Sequence, residues 1–440
     1  MNYTKPKYHL MPQRGWMNDL NGGLYHCEKY HMFYLSSPDQ GKPYLTKKKW
    51  KNKYWGHSTS KDLVTWEEKK TALIPHSDEY RCMSGSIFFL NKIPYLIYSY
   101  SKIEPSNAEI VQCISTGSYD LENWDNKHIP VLTIDSHDGP SFENNWRDPY
   151  VFNIESELYM LLGVVLENKP CLAIYKNFGE KAYKWKYMNI FFSDATSNIS
   201  FYECPKFFKI AEKWILIVSP HLKSSDTSIK HGNVVYYTGI LDRNDLTFKP
   251  LNKGYINYSK YFYAADDIKL KNGNVALLGW VPGWNPKKYT NSNWNGYASL
   301  TRELALNGNE LLQLPIKSTR KKRINKSYKK NEIKILNNYN FELEGISQSE
   351  IELHFEKNCI HKYGFNLILD GENILSTYYQ NGQIFINNKF IKHDYLKNSH
   401  IFFDNCSVEL FFNDGDICFT DLFSSSLYKY KIEIYSDSEM

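Results

Sequence analysis

A strand-rich unit that recurs five times between Trp16 and Trp280 constrains the fold more than any other feature of the sequence. Each unit begins with a short polar cluster and continues as an aromatic-rich β-hairpin. The five clusters are WMNDLNGG (16–23), SGS (84–86), RDP (147–149), ECP (203–205) and ADD (265–267). Their polar residues recur every 55 to 65 positions, as Asp19, Ser84, Asp148, Glu203 and Asp266. Regular repetition of strands without helical periodicity is typical of a radial repeat, so the sequence predicts an all-β fold with a five-bladed β-propeller.

The character of the chain changes after Pro315. A basic, polar run, STRKKRINKSYKKN (318–331), precedes short alternating segments that predict a small β-sandwich. We therefore predict a propeller catalytic domain over 1–317, a basic linker over 318–331 and a β-sandwich domain over 332–440. A nuclear signal or nucleic-acid arm is the alternative interpretation of the basic run. A solvated connection is favoured, because short basic clusters match such motifs easily.

Composition argues against several functional classes. The net charge of +5 is spread over 440 residues, too weak a bias to predict nucleic-acid binding. No apolar run approaches the roughly 20 residues that span a bilayer, so no membrane partner is expected. The eight cysteines lack zinc-binding spacing, and the N-terminal residues lack the apolar stretch of a signal peptide. We expect a cytoplasmic protein, with a secreted protein whose signal has been removed as the alternative. The oligomeric state is left open.

Three acids in the polar clusters are candidate catalytic residues. The innermost strands of a propeller start around one axis, so Asp19, Asp148 and Glu203 are expected to face one funnel. Retaining hydrolysis of a glycosidic bond needs two carboxyl groups about 5 to 5.5 Å apart, one as nucleophile and one as proton donor. A third carboxylate can hold sugar hydroxyls. Taken singly, an acid in a turn is more often a turn residue, and Arg147 with Asp148 can be a structural ion pair.

The residues beside these acids suit a sugar site. Asn18 offers an amide, and Arg147 can grip hydroxyls or keep a neighbouring carboxylate ionised. Glu203 stands between Tyr202 and Cys204, ahead of Pro205 and two phenylalanines. We expect this partly apolar setting to raise the pKa of Glu203 and suit it to proton donation. Asp266 and Asp267 are expected to be structural.

Ordered motifs along nearly the whole chain resemble glycoside hydrolase family 32, which contains invertases, sucrose-6-phosphate hydrolases, levanases and inulinases. The matching segments are WMNDLNG, WGHSTSKDLVTW, SGS, WRDP, ECP, FYAADD, SLTRELAL, LLQLP and FFDNCSVELFFNDG. The resemblance implies a five-bladed propeller followed by a β-sandwich, and a retaining β-fructofuranosidase that acts on a small-molecule or oligosaccharide fructoside. It implies neither a metal ion nor an organic cofactor.

The resemblance also implies roles for single residues. Asp19 is expected to be the nucleophile that forms a fructosyl-enzyme intermediate, and Glu203 the general acid/base. Asp148 is expected to stabilise the transition state by binding fructose hydroxyls. Asn18, Ser84 and Arg147 are expected to line the same fructose subsite, with Trp280 at its rim.

Three departures from the family pattern leave the substrate open. Leu20 replaces a usual proline, Met83 replaces a usual aromatic residue, and Leu35 stands where the family has a glutamine that contacts the sugar. Sucrose, sucrose 6-phosphate and short fructans are the expected substrates. A fructosyltransferase of the same fold and a carbohydrate-binding protein that has lost activity are the alternatives.

One further stretch bears on the choice among fructosides. Six lysines fall between Lys42 and Lys53, in the connection that follows the first hairpin. Lysines near the funnel mouth would bind a sugar phosphate as point charges. A solvated, lysine-rich loop is the simpler interpretation.

Overall fold

The computed structural model describes residues 5–37, 53–105, 107–143, 145–194, 198–224, 230–282, 294–323, 337–344, 348–355, 362–423 and 429–437. The fold prediction is confirmed: the protein is all-β, with a five-bladed β-propeller and a C-terminal β-sandwich. One compact unit runs from His9 to Ile316, and residues up to Tyr8 join Lys317–Met440 in the other. The limits 1–317, 318–331 and 332–440 stay predictions.

The first two blades are antiparallel sheets whose strands follow chain order. Blade one comprises β1 (Gly15–His26), β2 (Lys29–Ser37), β3 (Tyr54–Ser60) and β4 (Trp66–Glu68). Blade two comprises β5 (Tyr80–Leu90), β6 (Ile93–Lys102), β7 (Ile110–Thr116) and β8 (Ile129–Leu132).

The next two blades repeat this arrangement. Blade three comprises β9 (Arg147–Ile154), β10 (Glu157–Leu166), β11 (Lys169–Asn177) and β12 (Trp185–Phe192). Blade four comprises β13 (Ile199–Ile210), β14 (Lys213–Leu222), β15 (Lys230–His231), β16 (Val235–Asp242) and β17 (Thr247–Tyr255).

Blade five closes the ring onto blade one. It comprises β18 (Tyr263–Lys269), β19 (Val275–Val281), β20 (Trp294–Asn295), β21 (Tyr297–Ala298), β22 (Arg302–Asn307) and β23 (Glu310–Pro315). Strands β1 and β18 pair in parallel with Gly23 opposite Ile268, and Asp266 Oδ2 accepts the N–H of Gly23 at 2.7 Å. A Cβ at Gly23 would lie 2.6 Å from the carbonyl oxygen of Asp267, so this close approach requires glycine.

A β-bulge interrupts the first strand of every blade at the same point. Two residues of that strand lie opposite one residue of the next strand, at Asn18–Asp19, Met83–Ser84, Asp148–Pro149, Cys204–Pro205 and Ala264–Ala265. The first strands of neighbouring blades contact one another around the ring. Because a bulge bends its strand and re-aims side chains, five equivalent bends gather residues that are far apart in sequence.

Aromatic side chains pack between the blades, which accounts for an aromatic content of 16%. Between blades three and four, Phe207 stacks on Trp214 with ring centroids 4.6 Å apart. Phe152 and Phe191 meet the same Phe207 ring edge-on at 5.1 and 4.8 Å. Such pairs are favourable beyond the area they bury, so they fix the angle between neighbouring sheets.

The sandwich consists of a six-stranded and a four-stranded sheet. Its strands are β24 (Asn337–Glu344), β25 (Gln348–His354), β26 (Tyr363–Leu369), β27 (Glu372–Gln380), β28 (Gln383–Ile386), β29 (Lys389–Lys392), β30 (Asn398–Asp404), β31 (Ser407–Phe412), β32 (Ile417–Leu422) and β33 (Lys429–Ser436). A 3₁₀ turn at Asn413–Gly415 joins β31 to β32.

The start of the basic run 318–331 belongs to a 3₁₀ helix, Lys317–Lys322. Arg323 binds Glu350 through two nitrogens and Glu352 at 3.0 Å, so acidic side chains of β25 pair with this basic segment. Residues 324–331 of the predicted linker lie outside the described residues. Neither helix in the described part of the chain is long and apolar enough to span a membrane.

Candidate active site

Five of the seven residues predicted for the site line one cavity of about 580 Å³, and the other two, Ser84 and Asp148, are buried beside it. Asn18, Asp19, Arg147, Glu203 and Trp280 line it directly, and Ser84 bonds to Asp19. Asp148 is 4% exposed and lies behind this wall, against Cys204. The bulges of the first four blades therefore bring six of the seven residues together, and Trp280 comes from β19.

Asp19 is held by two donors from different blades. Asn18 Nδ2 donates to Oδ1 at 2.8 Å, and Ser84 Oγ donates to Oδ2 at 2.6 Å. The Sγ of Cys204 lies 3.9 Å from Asp19 Oδ2 and 3.7 Å from Asp148 Oδ2. The two carboxyl groups thus flank one thiol, and the orientation of the Asp19 carboxylate is fixed before any ligand binds.

Asp148 occupies a strained and buried position. Its φ of 65° lies in the left-handed region, and its N–H donates to Ser99 Oγ at 2.9 Å. The N–H of Cys204 donates to Asp148 Oδ2 at 3.0 Å. Burial raises the pKa of Asp148 to about 6; Arg147 opposes that rise, and the charges of Glu203 and Asp19 add to it. Strain maintained by surrounding contacts is typical of functional sites.

Glu203 is surrounded by polar groups, so the expectation of a partly apolar setting that raises its pKa is wrong. Arg147 donates to Oε1 through Nη2 at 2.7 Å and Nε at 3.2 Å, and Tyr263 donates its hydroxyl to Oε2 at 2.8 Å. His221 Nε2 lies 2.7 Å from Oε2. Burial raises the pKa of Glu203, but Arg147 and His221 outweigh burial and hold the pKa well below its usual range.

Arg147 is itself fixed on several sides. Its guanidinium lies 4.0 Å from the centre of the Phe201 ring, and its Nη1 donates to Asn145 Oδ1. A cation over an aromatic face is attracted to it, and here the ring also excludes water from one side of the guanidinium. The ion pair of Arg147 is with Glu203, not with Asp148 as in the alternative, structural interpretation of these two residues.

Sequence reasoning missed several residues of the cavity, among them Arg81, His221, His231 and Tyr263. Tyr263 precedes the bulge of β18 as Arg147 and Glu203 precede theirs, a correspondence that only the strand register reveals. Lys53 is the last lysine of the 42–53 run, of which residues 42–52 lie outside the described residues. Burial lowers the pKa of His231.

The three departures from the family pattern fall in different places. Met83 lines the cavity and changes its wall, as expected. Leu35, in contrast, packs in the core with Phe33, Trp55 and Leu73 and is 1% exposed, so it does not leave a gap in the sugar pocket. Leu20 is fully buried.

The fold and the three carboxyl groups define a retaining glycosidase. The protein belongs to glycoside hydrolase family 32 and is a β-fructofuranosidase-type hydrolase. Residues 9–315 match the model described as Glycosyl hydrolases family 32 N-terminal domain, and residues 316–440 match the model described as Glycosyl hydrolases family 32 C terminal.

Individual relatives cover nearly the whole chain. The sucrose-6-phosphate hydrolase of Zymomonas mobilis subsp. mobilis is 28% identical over 99% of this chain and 87% of its own length. The levanase of Bacillus subtilis is 27% identical over 98% of this chain and 68% of its own length. The Bombyx mori β-fructofuranosidase superposes on this chain with a TM-score of 0.80 at 22% identity, and the match covers 99% of this chain and 92% of that one. A variant of that enzyme was solved in complex with sucrose.

Proposed function

We propose that this enzyme hydrolyses sucrose 6-phosphate and releases fructose. The observation that carries the proposal is a pair of cations on the cavity wall, Lys53 and Arg81, in addition to the arginine that binds Glu203. Relatives named sucrose-6-phosphate hydrolase, from Zymomonas mobilis and Bacillus subtilis among others, support the same substrate. A phosphorylated sugar is a substrate found inside cells, so the proposal includes a cytoplasmic location.

The partial burial of these two cations favours an anionic ligand. Burial lowers the pKa of Lys53, although Asp19 opposes that change. Burial and then the charge of Arg147 lower the pKa of Arg81, whose Nε donates to Ser101 Oγ at 3.0 Å. Burial removes water from both cations. A phosphate that enters the cavity would give them charge-assisted hydrogen bonds in place of those that water supplies.

The proposed chemistry uses the carboxyl groups alone. Asp19 attacks the anomeric carbon of the fructosyl unit while Glu203 gives a proton to the departing glycosidic oxygen. Glucose 6-phosphate leaves, and a fructosyl ester remains on Asp19. Ionised Glu203 then takes a proton from water, whose oxygen attacks the same carbon and restores Asp19 as a carboxylate. Asp148 holds fructose hydroxyls as positive charge grows on the ring.

The test compares two substrates in two cavity variants and one control. A charge-assisted hydrogen bond contributes about 1.5–3 kcal/mol, or roughly 10- to 150-fold in affinity. We expect the unmodified enzyme to have a KM for sucrose 6-phosphate at least about tenfold below that for sucrose, and added salt to reduce the difference. Lys53→Met and Arg81→Met should each lose most of this preference. Lys102→Met removes an exposed lysine near Tyr80 and should keep it.

The substrate proposal has a clear contrary result. Equal KM values for the two sugars at low salt would reject a phosphate subsite. Lower KM values for inulin or levan than for sucrose would assign the enzyme to fructans, and transfer products without free fructose at high sucrose would assign it to fructosyl transfer.

A further inference from the structure

Glu203 also forms a cluster with two histidines, to which the proposed hydrolytic steps assign no proton transfer. One carboxylate oxygen of Glu203 and one ring nitrogen each from His221 and His231 lie within 4.8 Å of one another. The two histidines are opposite each other in the pairing of β14 with β15, and their ring centroids are 5.3 Å apart. Main-chain pairing therefore holds two imidazoles beside the same carboxylate.

The contacts of these three side chains favour an ion between them. His221 is 7% exposed, and its Nε2 lies 2.7 Å from Glu203 Oε2 without the alignment of a hydrogen bond. The ring of His231 stacks on Tyr263 with centroids 4.2 Å apart, which restricts its rotation. Two imidazole nitrogens and one carboxylate oxygen are the ligand set of many zinc sites that keep a fourth position open.

We propose that Glu203, His221 and His231 bind a divalent transition-metal ion such as Zn²⁺, and that this ion inhibits hydrolysis reversibly. Nitrogen and oxygen ligands of this kind suit Zn²⁺ and Co²⁺ better than Mg²⁺ or Ca²⁺, which prefer oxygen alone. The Tyr263 hydroxyl donates to one lone pair of Oε2, and an ion on the other takes the lone pair that must accept and release the proton at the glycosidic oxygen. Arg147 remains on Oε1 and weakens the site through its own positive charge, so a chelator removes the ion readily.

The binding test uses Co²⁺ as a spectroscopic probe and no sugar. The purified chain is treated with a chelator, desalted and titrated with Co²⁺. We expect visible d–d absorption of a four-coordinate ion to saturate at one equivalent, and Zn²⁺ to abolish it. His221→Gln and His231→Gln should each weaken Co²⁺ binding at least about tenfold. Circular dichroism establishes that both variants are folded.

A second histidine–carboxylate cluster in the sandwich provides the matched control. His400 lies 2.7 Å from Glu350, which Arg323 already neutralises through two contacts. His400→Gln should therefore leave the Co²⁺ spectrum unchanged. If the spectrum is lost in this variant and kept in His231→Gln, the proposed site is wrong.

Inhibition is measured in parallel. Zn²⁺ should inhibit the unmodified enzyme and excess EDTA should restore its rate, while folded His231→Gln should need at least about ten times more Zn²⁺ for half inhibition. Absence of Co²⁺ absorption, or equal sensitivity of His231→Gln and the unmodified enzyme, would overturn the inference. Because the spectrum is recorded without sugar, this result is independent of which fructoside the enzyme prefers.

Discussion

Replacing Arg147 by methionine should move the pH dependence of catalysis in a direction that the structure specifies. In the folded protein Arg147 and His221 lower the pKa of Glu203, while burial acts in the opposite direction. An opposite charge within about 4 Å lowers the pKa of a carboxyl group by about 1–3 units. Without Arg147, burial is opposed by His221 and His231, so the pKa of Glu203 rises by that amount.

The basic limb of the kcat/KM profile reports this change, because proton donation requires protonated Glu203 in the free enzyme. For the unmodified enzyme we expect kcat/KM to rise towards acidic pH. In Arg147→Met the basic limb should move upward by about 1–3 pH units. Its maximum should fall roughly 10- to 150-fold, because a charge-assisted contact to the substrate is lost.

The assay is fructose release across the pH range, with initial rates at substrate concentrations well below KM. Arg81→Met is the control, since Arg81 lines the same cavity but has its hydrogen bond to Ser101. It should shift the basic limb much less. A basic limb that stays in place in Arg147→Met would refute the assignment of Glu203 as the proton donor under the control of Arg147.

Two further predictions concern stability. Leu35→Gln places an amide in an apolar cluster and should lower the free energy of unfolding by about 1–3 kcal/mol in urea titrations. The control Leu35→Met should lower it by less than about 1.5 kcal/mol. Improved stability of the glutamine variant would contradict the placement of Leu35. Burial, aided by the charge of Asp266, raises the pKa of Asp267 to about 7. Between about pH 4 and 7 the folded state therefore binds one proton more than the unfolded state, and the free energy of unfolding falls as the pH rises through that window. Asp267→Asn keeps an acceptor for the Tyr150 hydroxyl, and it should therefore stabilise the protein at pH 8 by up to about 4 kcal/mol and hardly at all at pH 4. Equal effects at both pH values would contradict the raised pKa of Asp267.

The five-fold repeat could be predicted from the sequence because each blade carries its own polar cluster and hairpin. The clusters were aligned by spacing alone, however, and spacing treats Asp266 as the counterpart of Asp19. The register shows that Asp266 lies one position beyond its bulge. There it forms an ion pair with Lys206 and accepts the N–H of Gly23, so it closes the ring instead of entering the cavity.

The surroundings of Glu203 could not be predicted from its neighbours in sequence. Tyr202 is fully buried, and it packs in the core shared with blade three. The groups that reach the Glu203 carboxylate come from other strands: Arg147 begins β9 and Tyr263 begins β18. Arg147 and Tyr263 are 56 and 60 residues away from Glu203 in the sequence, and His221 comes from the next strand of the same blade, so the local sequence does not encode this electrostatic setting.

In the proposed mechanism Asp19 forms a covalent bond to fructose, and Glu203 both donates and accepts the proton. Glu203→Gln, incubated with a fructoside that has an activated aryl leaving group, tests it directly, because the first step then needs no acid while the second still lacks its base. After acid quenching and proteolysis, mass spectrometry should find one fructosyl unit on the peptide that contains Asp19, and none when Asp19 is also changed to Asn. A fructosyl unit on any other residue would contradict this mechanism. So would the absence of an adduct when the aryl group is released faster than fructose is.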